Sequence, residues 1–391
     1  MGYVRGVKMK VYLDNGATTK VDLEVAKIMQ VYLTERYGNA SSLHDFGIEA
    51  KDALENSRKT IAKAIGAKKD EIVFTGSGSE SNNTVLKGVA FSKGKGYIIT
   101  TKIEHPCIIE TCKYLAKKGF EISYLDVDKD GFIDIEQLKN SIKGDTILVS
   151  VIHANNEVGT INDLLEIGKI CKEKNILFHS DCVQSFTKVP IDVNKFSLSF
   201  ASFSAHKIHG QKGVGALFIR KGVKLDKLIH GGHQENDLRA GTENVAGIVG
   251  FAKAVKLAMS KKHIKHMTVL RDKFIREIES NIPHVKLNGS RTKRLCNNVN
   301  FSFLGVEGES IGALLNAKGV TSSTGSACSS QSLDPSHVLM AMGLTHEEAQ
   351  GSMRLTVSRF TTEGEVDYLL DKLPKIIERL RKISPVARGG F

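Results

Sequence analysis

The chain has 391 residues, 41% of them hydrophobic and 25% charged, with a formal net charge of +12. That length supports a large core and more than one structural unit, while no apolar run is long enough to cross a membrane as a helix. The cysteines form no C-x-x-C pair, which argues against a disulfide scaffold and for a reducing compartment, the cytoplasm.

In chain order, the opening MGYVRGVKMKVYLD lacks a secretory apolar core, and its first residues read as an extension before a strand. Helical periodicity spans about 21–36 and 48–65. A strand at 71–75, EIVFT, leads into GSGSESNN and a further helical run. Gly76 and Gly78 allow a tight turn, after which Ser79 and the first helical N–H groups face an anion, aided by the helix dipole. The third glycine of a dinucleotide fingerprint is missing and no Gly-Lys-Ser/Thr follows, so neither nucleotide motif applies. Strand-like runs at 97–101, 121–127, 146–152, 176–180, 198–204 and 214–220 alternate with helical runs at 106–118, 163–174 and 244–259. This alternation predicts an α/β fold with a mainly parallel sheet between helices. Active residues are expected at the strands' C-terminal ends. After about residue 260 a long basic helix and a few mixed elements predict a smaller α+β unit.

Two patterns are set aside. DVDKDGFIDIEQ (126–137) resembles a calcium loop, but Gln137 stands where the closing glutamate is needed and a strand precedes it. Three His-x-x-His pairs lack partners at zinc spacing, so no metal is assigned. The lysines are spread along many helical faces without a nucleic-acid motif, so the positive charge reads as a solvated surface.

The chemistry concentrates on Lys207. It follows the apolar run SLSFASF, beside Ser204, His206 and the glycines of HGQKGVG. An amine there can form a Schiff base with an aldehyde cofactor, and the hydroxyl, imidazole and nearby N–H groups can take a phosphate. Upstream, ILFHSDCVQ ends a strand in Asp181 and Gln184. Pyridoxal 5'-phosphate (PLP) needs such a carboxylate to keep its ring nitrogen protonated. Read without further context, each of these residues also suits a plain turn or cap.

Taken together, the motifs resemble the cysteine desulfurases of the NifS/IscS type, within the class V group of fold-type-I PLP enzymes. The likeness rests on YLDNGATT, YGNASSLHDFG, FTGSGSESNN, Glu104-His105, HANNEVGTI, HSDCVQS, FSAHKIHGQKGVGAL, RAGTEN, NNVNFSF, STGSACSS and SMRLTVSRF, in order over nearly the whole chain. The resemblance implies a large PLP-binding domain over 10–260 and a small C-terminal domain over 261–391, which the first strand (about 10–20) joins. It also implies that Lys207 carries the cofactor, Asp181 pairs with the ring nitrogen, and Gln184 and Asn156 reach the ring oxygen. His105 stacks on the ring and shuttles protons, a task suited to a flat group titrating near neutrality. Gly78, Ser79, Ser204 and His206 hold the phosphate. Thr242 reaches the phosphate of the neighbouring subunit, making a homodimer part of the site. Arg354 grips the substrate carboxylate with its planar fork, and Asn156 lies beside it.

Cys328 sits in TSSTGSACSSQSLDPSHV, a polar run without apolar periodicity, which reads as a loop. That is an odd place for a packing cysteine, since free Cys is usually buried, and it suits a nucleophile. The implied reaction removes sulfur from L-cysteine, leaving L-alanine and a persulfide on Cys328. The sulfur then passes to an acceptor such as an iron–sulfur scaffold or a thiolation carrier. Selenocysteine lysis or another PLP-dependent β-lyase reaction is the alternative, and a non-catalytic scaffold is a reading of a different class. Cys107, Cys112, Cys171, Cys182 and Cys296 read as packing residues. Gln211, His209, Ser79, His233, Asn236 and Asp237 depart from the usual pattern without removing a required group.

Overall fold

The computed structural model describes residues 9–323 and 334–384. Its strands are β1 (Val11–Tyr12), β2 (Ile72–Thr75), β3 (Tyr97–Thr101), β4 (Glu121–Leu125), β5 (Thr146–Ser150), β6 (Leu177–Asp181), β7 (Phe200–Ser204), β8 (Gly215–Ile219), β9 (Val285–Leu287), β10 (Asn298–Phe303), β11 (Val320–Thr321) and β12 (Ser352–Thr356). Four helices matter most to the site: α1 (Leu23–Thr34), α2 (Asp45–Ala64), α3 (Gly78–Lys93) and α4 (Pro106–Ala116).

Seven strands form one sheet in the order β2-β8-β7-β6-β5-β3-β4. Strands β3 to β7 run parallel, and β8 lies antiparallel between β2 and β7. Alternate side chains go to opposite faces of a strand, and helices cover both. Ile72 and Phe74 of β2 join Leu54 and Ile61 of α2 and Phe251 in one core cluster. Val73 packs instead with Val85 and Leu86 of α3 and Ile108 of α4. Strands β3, β7 and β8 are buried at every position, as strands with both faces covered must be.

The C-terminal third builds its own core on the antiparallel sheet β12-β10-β9. Phe274 and Ile278 of the helix Lys261–Asn281 and Leu369 and Leu373 of the helix Glu363–Ile383 pack there with Val299, Phe301 and Leu355. The N-terminal strand belongs to this part, because β1 pairs with β11 and Val11 and Leu13 enter the same cluster.

Helix starts differ from the periodicity where a cap decides. The helix expected from residue 48 begins at Asp45, because the His44 imidazole accepts the Gly47 N–H. Asp22 does the same for α1 through Glu24. The acid-rich turn after β4 is closed internally, with the Asp128 carboxylate accepting the N–H groups of Asp130 and Phe132.

The outer edge of β2 meets a buried ion pair. Arg58 of α2 donates to both carboxylate oxygens of Glu235 at 2.7 and 2.9 Å. The same arginine donates to the Ile72 carbonyl, and the same glutamate accepts the Phe74 N–H. Glu235→Ala would leave the buried guanidinium with only the partly exposed Glu55 as counter-charge and the Phe74 N–H without its acceptor. A loss of about 3–5 kcal/mol is expected, to be measured as a lower midpoint in denaturant unfolding.

Candidate active site

The loops that follow the C-terminal ends of β2, β3, β6 and β7 meet segment 14–19 and β12 around a cavity of about 300 Å³. Of the residues singled out in the sequence, Lys207, Asp181, Gln184, Asn156, Gly78, Ser79, Ser204, His206, His105 and Arg354 all line it. Thr242 does not; it lies exposed on the loop before the helix Val245–Ala258. Cys328 lies outside the described residues.

Lys207 follows β7 in a short 3-10 turn. Its Nζ donates to the carbonyls of Gly16 and Ala17 at 2.6 and 2.7 Å. Gln184 donates its amide to the same Gly16 carbonyl at 2.9 Å. Asp181 ends β6 and is fixed on both oxygens, by the Val183 N–H at 2.9 Å and by Asn82 Nδ2 at 2.7 Å. His206 bonds Thr18 through Nδ1. Burial, with help from Lys207, pushes its imidazole down to about 4, so it is neutral at physiological pH.

The start of α3 forms the anion-facing wall. Ser77 is the N-cap and accepts the Glu80 N–H, which leaves the first-turn N–H groups of Gly78 and Ser79 without an acceptor inside the helix. A side chain at Gly78 would bring a Cβ within 2.6 Å of Val183 Cγ2, so the close approach of helix and β6 loop requires glycine. The sequence reading assigned no role to Ser77, although a Ser before a helical run is a recognisable cap.

His105 caps α4, with Pro106 in the first turn. Burial, reinforced by Lys207 and His337 and opposed by Asp181, holds its imidazole below the ordinary histidine value. Arg354 on β12 donates to Asp14 Oδ1 at 2.9 Å and to the Asn156 carbonyl at 3.0 Å. Its Nε is buried and has no hydrogen-bond partner among the described residues. An orphaned buried donor is costly, and a ligand carboxylate would supply the missing acceptor.

Several contributors were not anticipated. Asp14 shares the fork of Arg354, and Asn82 holds Asp181. Glu157 is buried beside the cavity, and Ser336 donates to its carboxylate. Burial raises its pKa, though Ser336, His337 and Arg354 oppose the shift. Cys107, read as packing, instead lines the cavity. Its thiol, pushed up to about 12 by burial and Asp181, is neutral there. Spacing could not reveal this, because Cys107 faces the site only once α4 begins at Pro106. Cys182 is fully buried in the main core.

The residues fit PLP. An amine, a carboxylate fixed at a strand end, and a helix start lined with hydroxyls surround one space large enough for a ring and an amino acid.

The aminotransferase class-V family matches residues 11–369. A cysteine desulfurase IscS of Dictyoglomus turgidum is 54% identical over 384 residues, covering 97% of each chain. One of Methanosarcina thermophila is 50% identical over 96% of this chain and 94% of its own. Among solved structures, a NifS-like protein superposes with a TM-score of 0.89 at 43% identity, over 95% of this chain and all of that one. The chain belongs to the aminotransferase class-V family of PLP-dependent enzymes, in its cysteine desulfurase branch.

Proposed function

We propose that the protein is a PLP-dependent cysteine desulfurase that moves the sulfur of L-cysteine onto Cys328 and releases L-alanine. The observation that carries the reading is the convergence of Lys207, Asp181, His105 and Arg354 on one cavity. PLP supplies the electron sink that lets a carbanion form next to the amino group. Lys207 would hold it, Asp181 would keep its ring nitrogen protonated, and Gln184 with Asn156 would face the ring oxygen. Ser79, Ser204, His206 and the N–H groups at Gly78 would take the phosphate.

The chain's own groups then do the rest. Arg354 receives the substrate carboxylate on the Nε edge that lacks a partner, fixing the α-carbon near Lys207. The Lys207 amine takes the α-proton. His105, held neutral by burial, stands beside the ring and moves protons at the substrate sulfur. The Cys328 thiolate attacks the substrate sulfur, so one S–S bond forms as the Cβ–S bond breaks. The bonding pair stays with carbon, which gains a proton to become alanine. Chain length allows the encounter. Ser323 pairs with Arg354 through two backbone bonds, Ser336 and His337 line the cavity, and five residues from Ser323 can span up to about 17 Å.

The acceptor of the persulfide sulfur, an iron–sulfur scaffold or thiolation carrier, belongs to the same proposal, as do a homodimer and the cytoplasm. Five cysteines among the described residues are unpaired thiols, which suits a reducing compartment. Thr242 is exposed and so available to complete the phosphate site of a second subunit. Leu33, Tyr37, Leu43 and Phe46 are exposed apolar residues close in sequence around the start of α2, a feature of interaction surfaces. The division into parts of 10–260 and 261–391, with the first strand on the smaller, accords with the two core clusters.

A brief pulse of L-cysteine should add one sulfur to the peptide holding Cys328 and release alanine in equal amount, read by mass spectrometry. Cys328→Ala should abolish that gain; persulfide formation elsewhere at the wild-type rate would overturn the assignment. Arg354→Lys should raise KM for cysteine roughly tenfold to a hundredfold while the visible band of bound PLP persists. The depressed His105 pKa has a definite sign. The neutral imidazole is lost only as pH falls through a value below that of an ordinary histidine, so the acid limb of kcat/KM should lie under that range and vanish in His105→Gln.

A further inference from the structure

A chain of hydrogen bonds joins the two sides of the cavity through residues that hold neither cofactor nor substrate. Asn82 Nδ2 lies 2.7 Å from Asp181 Oδ2 and 3.2 Å from Cys107 Sγ. Cys107 Sγ in turn lies 3.0 Å from His105 Nδ1. The Cys107 backbone N–H donates to that same Nδ1 at 3.2 Å, as the second residue after the cap of α4. Asn82 is 1% exposed and its Oδ1 has no hydrogen-bond partner among the described residues.

The direction of every bond follows from what each atom can donate. A carboxylate only accepts, so the atom of Asn82 facing Asp181 must be the nitrogen; the flipped amide would set oxygen against oxygen. The two amide hydrogens then point to Asp181 and to the Cys107 sulfur. That sulfur accepts from Asn82, with the Ser79 hydroxyl as a further partner, and keeps its own hydrogen, which is directed at His105. A ring nitrogen that accepts a backbone N–H and a thiol hydrogen cannot also carry a proton. In the neutral imidazole the proton must therefore sit on Nε2.

We propose that Asn82 and Cys107 are positioning residues that fix His105 in the tautomer bearing its proton on Nε2 and tie that choice to the orientation of Asp181. The neutral thiol described above is the state this arrangement needs. Asp181, Lys207 and His337 are the charged or titratable groups that act on His105. Of these, only Asp181 is reached through the hydrogen-bonded chain.

The test uses full-length protein labelled with 15N-histidine, with and without bound PLP. Long-range 1H–15N spectra report which ring nitrogen is protonated, and His105→Gln identifies the signal. Nδ1 should be unprotonated at neutral pH. In Cys107→Ala the imidazole loses a donor at Nδ1, so its pKa should rise by roughly half a unit to one unit, carrying the acid limb of kcat/KM upward with it. Cys107→Ser repeats the donor–acceptor pair and should restore both. Asn82→Leu should move the His105 signal and the visible PLP band together.

A proton on Nδ1 in the wild type would overturn the proposal. So would a Cys107→Ala protein with unchanged shifts and pH profile, or one that Cys107→Ser fails to rescue. Should Asn82→Leu not fold, the Cys107 pair still decides the matter. The bearing on rate rests on the desulfurase reading, but the tautomer is also read without cofactor. A protein that shows the expected tautomer yet releases no alanine from cysteine would sink that reading and leave this one standing.

Discussion

The Lys207 amine donates to the carbonyls of Gly16 and Ala17, which ties the end of β7 to the segment on which both parts of the molecule meet. Those carbonyls belong to a strap, Asp14–Thr19, that runs between the two parts of the molecule. On one side Thr19 bonds the His206 carbonyl and Gln184 shares the Gly16 oxygen. On the other, Asp14 pairs with Arg354, Gly16 donates to the Thr356 hydroxyl, and Asn15 donates to the Thr356 carbonyl. A residue from the large sheet and a residue from the small one thus face each other across a few atoms of backbone. Packing holds the strap at both ends in addition to these hydrogen bonds: Leu13 before it sits in the small core, and α1 after it packs on the large one.

Much of this was written plainly in the chain. The alternation of apolar runs and helical periods pointed to the largely parallel sheet, because strands covered on both faces are mostly apolar along their length. The loops after β2, β6 and β7 were legible only as a set: Gly, Ser, Asp and Lys at strand ends each suit a plain turn, but their order along the chain matches one family's motifs. What stayed hidden depends on contacts between distant residues. Asp14 lies 340 residues from its partner Arg354, and no local pattern links them. The antiparallel insertion of β8 between β2 and β7 leaves no mark on β8 itself, which is as apolar as its parallel neighbours. Cys107 was misplaced because a cysteine near the start of a helix can face inward or outward, and only the His105 cap with Pro106 sets which.

Desolvation does most of the electrostatic work. His206 and His105 are both kept neutral chiefly by burial, so two imidazoles stand near a lysine without adding charge that would repel it. Glu104, next to His105, is pushed up to about 8 by burial, with Asp181 adding to the shift. Glu157, which lines the cavity, is likewise raised by burial, and Asp181 keeps its place as the anion fixed by two hydrogen bonds. One fixed negative charge beside one amine is the arrangement a protonated ring nitrogen requires.

The Arg58–Glu235 pair does more than fill a gap in the core. Strand β2 is the last of its sheet, and its outward carbonyl at Ile72 and N–H at Phe74 are the groups a foreign strand would seize. Both are already taken, the one by guanidinium and the other by carboxylate. At this edge the sheet therefore ends in side chains instead of a ladder, and a neighbouring strand would find those two groups already occupied.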